Sequence, residues 1–145
     1  MELKVKRLKP NAILPTRANP GDLGFDLFTL ETVAVPTGQT VAIPTAIACE
    51  FPSGWGAFIK ARSSQGKKGI DVFGGVVDEG YRGELIVLLH NSNEYIPNTD
   101  NVIIYSAGDK VAQLVLVPVF PGDVQEVTTL DESQRGERGF GSSGK

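Results

Sequence analysis

An acidic side chain at the end of a short apolar run is the sequence's leading candidate for orienting or deprotonating a water. Asp78 follows Val77 inside the turn-rich segment 74–83. If Val77 ends a buried strand, the Asp78 carboxylate lies at the rim of a concave site. Gly75 would then let a flat ligand press against backbone, and Tyr81 could form a floor beneath a sugar. An ordinary β-hairpin explains the same residues, so this segment alone leaves both interpretations open.

Other polar residues are suited to anions. Arg62, Ser63 and Ser64 follow a β-branched and aromatic run, and a guanidinium beside two hydroxyls can bind phosphate oxygens. The same residues would serve in a polar loop that caps a turn. Asp26 is a lone acid among apolar residues and Gln113 a lone amide inside an apolar strand, and both are also compatible with positions that face water.

The C-terminal segment 134–145 differs in composition from the rest of the chain. It contains four glycines and almost no aliphatic side chains, which predicts an arm that is mobile until a ligand or partner orders it. Its glycines would let backbone amides approach an anion, and its single aromatic ring could stack on a flat ligand. The candidate ligand contacts are Arg135, Phe140, Gly141, Ser142 and Ser143.

Bulk properties exclude several functional classes. The chain has 145 residues with 41% hydrophobic and 21% charged content, as expected for one compact domain. A net charge of −3 argues against a nucleic-acid-coating surface, and no apolar run approaches the roughly 20 residues that span a bilayer. The only cysteine, Cys49, cannot form an intrachain disulfide and favours a reducing, cytoplasmic compartment. With His90 as the only histidine, a zinc deaminase site is excluded, and Mg²⁺ held largely by substrate phosphates remains.

The elements that must position these residues are short strands. Segments rich in β-branched residues recur between Pro- and Gly-containing turns, which favours an all-β sandwich or jelly roll. One helical turn is predicted at 63–65, and the domain prediction is a β core over 1–133 followed by the arm 134–145. The predicted strands are 3–8, 40–48, 55–60, 85–91, 102–105, 111–119 and 124–127.

Taken in chain order, these segments resemble the five signature segments of the homotrimeric dUTPase family. The resemblance implies an all-β, jelly-roll or β-clip-like single domain and a homotrimer whose active sites are shared between subunits. It also implies Mg²⁺-assisted hydrolysis of dUTP to dUMP and pyrophosphate, which limits uracil incorporation into DNA and supplies dUMP for thymidylate synthesis.

The resemblance also implies roles for individual residues. Asp78 would position the attacking water, Tyr81 would pack on deoxyribose, and hairpin backbone at Gly75 and Val77 would contact uracil. Asp26 would support the metal indirectly, through water or the triphosphate. The implied phosphate-binding residues are Arg62, Ser63, Ser64 and Gln113, and the arm contacts named above would close over a neighbouring subunit's site.

Two alternatives and three departures accompany the resemblance. The dCTP deaminases share the fold and an Arg-Ser-Ser segment, but they place a catalytic glutamate in a strand whose counterpart here, 85–89, is wholly aliphatic. A non-catalytic, dUTP-sensing regulatory trimer would be expected to lack the acid or the arm. The departures from the family pattern are Ser64-Gln65-Gly66 in place of the commoner Gly-Leu, Phe73 near the hairpin and Arg138 in place of a usual glycine.

Overall fold

The regular structure of the chain is almost entirely β. The computed structural model describes residues 1–139, in which ten strands accompany a single helical turn. In chain order the elements are β1 (Lys4–Arg7), β2 (Gly24–Phe28), β3 (Val33–Pro36), β4 (Thr40–Glu50), β5 (Trp55–Lys60), α1 (Ser63–Gly66), β6 (Ile70–Val72), β7 (Val76–Val77), β8 (Glu84–Asn91), β9 (Val102–Tyr105) and β10 (Lys110–Pro118).

Two four-stranded sheets form the body of the domain. One has the order β1-β4-β8-β6 and the other β2-β10-β5-β7, and all of their pairings are antiparallel. Alternating side chains of each strand point to opposite faces, so β8 buries Leu85, Val87 and Leu89 while Ile86 and Leu88 face outward. The buried residues form one core, whose largest members include Leu27, Ile43, Ile47, Ile70, Leu85, Leu89 and Leu114.

The predicted all-β, jelly-roll-like class is confirmed, and so is the helical turn at α1. Strands were correctly predicted where β1, β4, β5, β8, β9 and β10 lie. The prediction of a strand at 124–127 is wrong. Val124 and Val127 are exposed, and no strand within residues 1–139 pairs with them, so their β-branched side chains have no sheet to join. The short strands β2, β3, β6 and β7 were not predicted, because two to five residues give little periodic signal.

In the part of the chain that the structure describes, the last strand ends at Pro118, and residues 118–138 are all exposed. A boundary between core and arm at 133/134 therefore remains a prediction. No helix within residues 1–139 has the length and apolarity needed to cross a bilayer. Cys49 packs in the core as expected, and burial raises the pKa of its thiol to about 11, so it stays protonated at neutral pH.

Candidate active site

Asp78 lies at the rim of a cleft beside the short strand β7. This hairpin cleft is lined by Ile59, Gly75, Val76, Val77, Asp78, Tyr81, Glu84, Leu85, Ile86 and Leu88. Its volume of about 180 Å³ is below the roughly 300–1,000 Å³ of complete small-molecule sites, so it can hold part of a ligand such as one flat ring. Val77 is buried while Val76 and Asp78 are exposed, and no other side chain of residues 1–139 pairs with the Asp78 carboxylate by hydrogen bond or ion pair. The cleft therefore combines an apolar wall with an accessible carboxylate.

Backbone geometry opens this cleft at Gly75. Gly75 has a φ of 80°, which favours glycine, and a Cβ there would lie 2.4 Å from the Ile59 carbonyl oxygen. Because β7 is the edge of its sheet, one side of its backbone has no strand partner. Unpaired N–H and C=O groups at such an edge can bind a ligand that carries alternating donors and acceptors.

Tyr81 is held in place at the floor of the cleft. Its hydroxyl donates to the Glu84 carbonyl oxygen at 3.0 Å, and a Cβ on Gly83 would overlap the tyrosine ring. The Glu84 carboxylate accepts the Ala46 N–H at 2.7 Å, so its position is set by the backbone of β4. The ring of Tyr81 thus presents a fixed apolar face.

A second cleft lies at the opposite edge of the same sheet. This arginine cleft is lined by Ala18, Asp22, Leu23, Gly24, Asp26, Arg62, Ser63, Ser64, Lys110 and Gln113. Asp26, on β2, is largely buried and accepts two cations: Lys110 Nζ lies 2.7 Å from Oδ2 and Arg62 Nε lies 3.1 Å from Oδ1. Among residues 1–139 the Arg62 guanidinium therefore bonds only through Nε, which leaves both Nη groups for another acceptor. The cleft suits a polyanion.

Gln113 joins β10 to the loop that carries Arg62. Its Nε2 donates to the Ala61 carbonyl oxygen at 3.0 Å, and its Oε1 lies where a Cβ on Gly24 would come within 2.4 Å. The strand-interior amide is therefore turned toward the cleft. Glycine at position 24 leaves the space that this orientation needs.

The structure brings the predicted residues together in two groups. Asp78, Gly75, Val77 and Tyr81 line the hairpin cleft, whereas Asp26, Arg62, Ser63, Ser64 and Gln113 line the arginine cleft. The two clefts share no residue. Arg135 lines neither cleft; its Nε donates to the Arg138 carbonyl oxygen, and its own carbonyl oxygen accepts from Arg138 N–H and Nε. The predicted contacts Phe140, Gly141, Ser142 and Ser143 lie outside the described residues.

Sequence reasoning gave no role to two residues, Lys110 and Gln65. Lys110 was given no role, because its contribution depends on a contact with Asp26 that the local sequence does not indicate. Gln65 was regarded only as a departure from the family, but it is buried and fully hydrogen-bonded. Phe73 does not line the hairpin cleft; its ring stacks on His90 with centroids 4.4 Å apart.

The acidic residues do not form a metal cage of their own. No group of three or more His, Cys, Asp or Glu side chains within residues 1–139 could hold an ion, and both Asp26 oxygens already face cations. A divalent ion here would take most of its ligands from phosphate oxygens and water, as Mg²⁺ prefers. Because both of its oxygens face cations, Asp26 would influence such an ion only indirectly.

The fold and the two clefts define a jelly-roll protein with the chemistry of a nucleotide site. The dUTPase family model matches residues 10–144. The deoxyuridine 5'-triphosphate nucleotidohydrolase of Clostridioides difficile is 39% identical, with 98% of this chain and 97% of that protein covered. The chain belongs to the dUTPase family.

Solved structures give the same result. A variant of the Staphylococcus bacteriophage 80alpha dUTPase with dUpNHpp has a TM-score of 0.89 and 29% identity, and 99% of each chain is covered. A variant of the dUTPase from phage phi11 of S. aureus, described as revealing the coordination of a structural Mg(II) ion, has a TM-score of 0.82 and 26% identity, with 91% of this chain and 100% of that chain covered.

Proposed function

We propose that this dUTPase hydrolyses dUTP to dUMP and pyrophosphate with a water that the Asp78 carboxylate orients. Family membership makes the chain a dUTP diphosphatase. The observation that carries the residue assignment is the position of Asp78, exposed at the rim of the hairpin cleft and unpaired within residues 1–139. Such a carboxylate can accept a proton from water and align it for attack.

The uracil ring is proposed to bind along the edge of β7. Uracil presents an acceptor, a donor and an acceptor in a row, which complements the alternating N–H and C=O groups of an unpaired strand edge. Gly75 permits the close approach that this pairing requires. Cytosine presents a donor where uracil has its O4 acceptor, so the same backbone groups would disfavour it.

The deoxyribose is proposed to lie against Tyr81. The ring is fixed by its hydroxyl bond to the Glu84 carbonyl oxygen, so it cannot move aside easily. A 2'-hydroxyl would meet an apolar face and lose its hydrogen bonds to water, which costs free energy unless a partner is supplied. This arrangement supports preference for deoxyribonucleotides.

The triphosphate is proposed to bind in the arginine cleft. The two Nη groups of Arg62, the hydroxyls of Ser63 and Ser64 and the ammonium of Lys110 can bind or attract its oxygens. Mg²⁺ bound to the triphosphate would neutralise negative charge on it. The residues then hold the α-phosphorus in line with the Asp78-bound water, so that attack and departure of pyrophosphate proceed without a covalent intermediate.

The active site is proposed to form between protomers of a homotrimer. In one chain the two clefts share no residue: the hairpin cleft lies against the edge strand β7, and the arginine cleft lies against β2, β10 and the loop after β5. Val76, Ile86 and Leu88, which line the hairpin cleft, are exposed, and an apolar patch of this kind favours a protein interface. A neighbour's arginine cleft at that patch would complete the site.

Mixed trimers test the shared site. Co-expressed Asp78→Asn and Arg62→Ala chains are expected to give mixed trimers with about a quarter of wild-type activity, because half of the hairpin clefts and half of the arginine clefts remain intact. Each variant alone should be nearly inactive. Pyrophosphate release by the purified mixture measures this, and a mixture no more active than its parents would show that each site lies within one chain.

Substrate identity is tested by incubating the protein with dUTP, dCTP, dTTP and UTP and measuring pyrophosphate and ammonia separately. Pyrophosphate release with dUTP and no ammonia from dCTP are expected. The aliphatic residues Leu85, Ile86 and Leu88 line the hairpin cleft, and the Glu84 carboxylate is engaged by the Ala46 N–H, so a deaminase acid or base is not evident there. Release of ammonia from dCTP would contradict the assignment.

The single buried thiol fits a reducing, cytoplasmic compartment.

A further inference from the structure

Gln65 is the one buried residue of α1 and one of few buried polar side chains in the described chain. Its amide makes three hydrogen bonds: Oε1 accepts the Arg62 N–H at 2.9 Å, and Nε2 donates to the Val111 carbonyl oxygen at 2.8 Å and to the Tyr105 hydroxyl at 3.2 Å. Every polar atom of the side chain is therefore paired. A fully satisfied buried amide fixes the geometry of the groups it joins.

The hydrogen bond from Gln65 to the Val111 carbonyl oxygen of β10 has a structural cause. The pairing of β10 with β2 shifts register between Lys110 and Ala112, so Val111 is the extra residue of a bulge and has no β2 partner. An unpaired, buried carbonyl costs free energy. Gln65 supplies the missing donor, and this ties the loop of α1 to the strand that carries Lys110.

Two glutamines hold the same peptide group from its two sides. The carbonyl of Ala61 accepts from Gln113 Nε2, and the N–H of Arg62, which belongs to that same peptide unit, donates to Gln65 Oε1. A peptide group is planar, so fixing both ends sets its orientation. That orientation determines the direction in which the Arg62 side chain leaves the backbone.

We propose that Gln65 is a positioning residue for the reaction: it locks the peptide before Arg62 and so aims the free Nη groups at the substrate's β- and γ-phosphates. Asp26 fixes the far end of the same side chain through Nε. Backbone and guanidinium are thus both restrained before substrate arrives, which lowers the entropy cost of binding phosphate. This inference rests on the proposed phosphate role of Arg62.

The test compares Gln65→Met, which preserves length and volume but removes the amide, with Arg62→Met and the double variant. Affinities for dUpNHpp and for dUMP are measured with Mg²⁺ by calorimetry, together with kcat and KM for dUTP. Gln65→Met is expected to weaken dUpNHpp binding about five- to tenfold and dUMP binding less than about twofold, because dUMP lacks the outer phosphates. In the Arg62→Met background the same change should cause no further loss.

The outcomes separate the two proposals. If Arg62→Met itself leaves dUpNHpp affinity unchanged, the phosphate role of Arg62 fails, and the role of Gln65 fails with it. If Arg62→Met weakens dUpNHpp but Gln65→Met only lowers the melting temperature, or if the two losses add, Gln65 is merely structural. Gln65→Leu, which keeps an apolar side chain in the buried space, carries the same test should Gln65→Met not fold.

Discussion

Asp78→Asn is expected to reduce kcat for dUTP by about two to four orders of magnitude, the range attributed to a positioned general base. Asparagine matches aspartate in shape but cannot accept a proton from the attacking water. The apolar wall and strand edge of the hairpin cleft are unchanged by the substitution, so dUpNHpp should bind with an affinity within about threefold of wild type. Pyrophosphate release and calorimetry give the two quantities.

Glu79→Gln is the matched control for this variant. Glu79 is the next residue in the same turn but does not line the hairpin cleft, so its neutralisation changes the net charge equally and should leave kcat within about twofold. Near-normal turnover by Asp78→Asn, or equal losses in both variants, would remove the assigned role from Asp78.

Removal of residues 135–145 is expected to leave a folded protein with about one hundredth of the kcat/KM of the full chain. Residues 118–138 are exposed, and within the described chain only Val119 of the segment after β10 donates a backbone hydrogen bond to the strand-bearing body, at Gly54. Deletion should therefore not change the melting temperature measurably. The loss arises because Arg135, Phe140 and the arm hydroxyls would no longer cover the substrate and exclude water.

Arg135→Met in the full-length chain distinguishes the contribution of the Arg135 charge from the contribution of the arm covering the substrate. If the arginine contributes mainly by binding phosphate, this variant should lose about tenfold in kcat/KM and remain more active than the truncated protein. Measurements with dUMP provide a second control, since a ligand without outer phosphates should bind Arg135→Met nearly as well as wild type. A fully active truncated enzyme would show that the arm has no part in catalysis.

Much of the fold could be predicted because long strands have a strong local signal. The alternation of β8 and the β-branched run of β4 indicate strands wherever their partners lie. The strand predicted at 124–127 failed for the converse reason: Val124 and Val127 have β propensity, but a strand forms only where a partner edge is available, and propensity does not report that.

The candidate site was only partly predictable. Asp78, Tyr81 and Arg62 could be selected from residue type and local turn chemistry. Lys110 could not, because its value depends on a contact with Asp26, far away in sequence. Gln65 appeared to be a departure from the family pattern, and its role depends on a β10 bulge that no local pattern indicates.

The sequence by itself determined the strand-forming segments, the chemistry available to them and the exclusion of thiolate and histidine metal sites, because these follow from residue types and short-range spacing. Only the tertiary structure decided that the candidate residues divide between two clefts at opposite edges of one sheet. It also decided that Asp26 pairs with two cations and that two glutamines hold the peptide before Arg62. The two Asp26 ion pairs join residues 36 and 84 positions apart, and strand order and register, which set them, are properties of the assembled sheet.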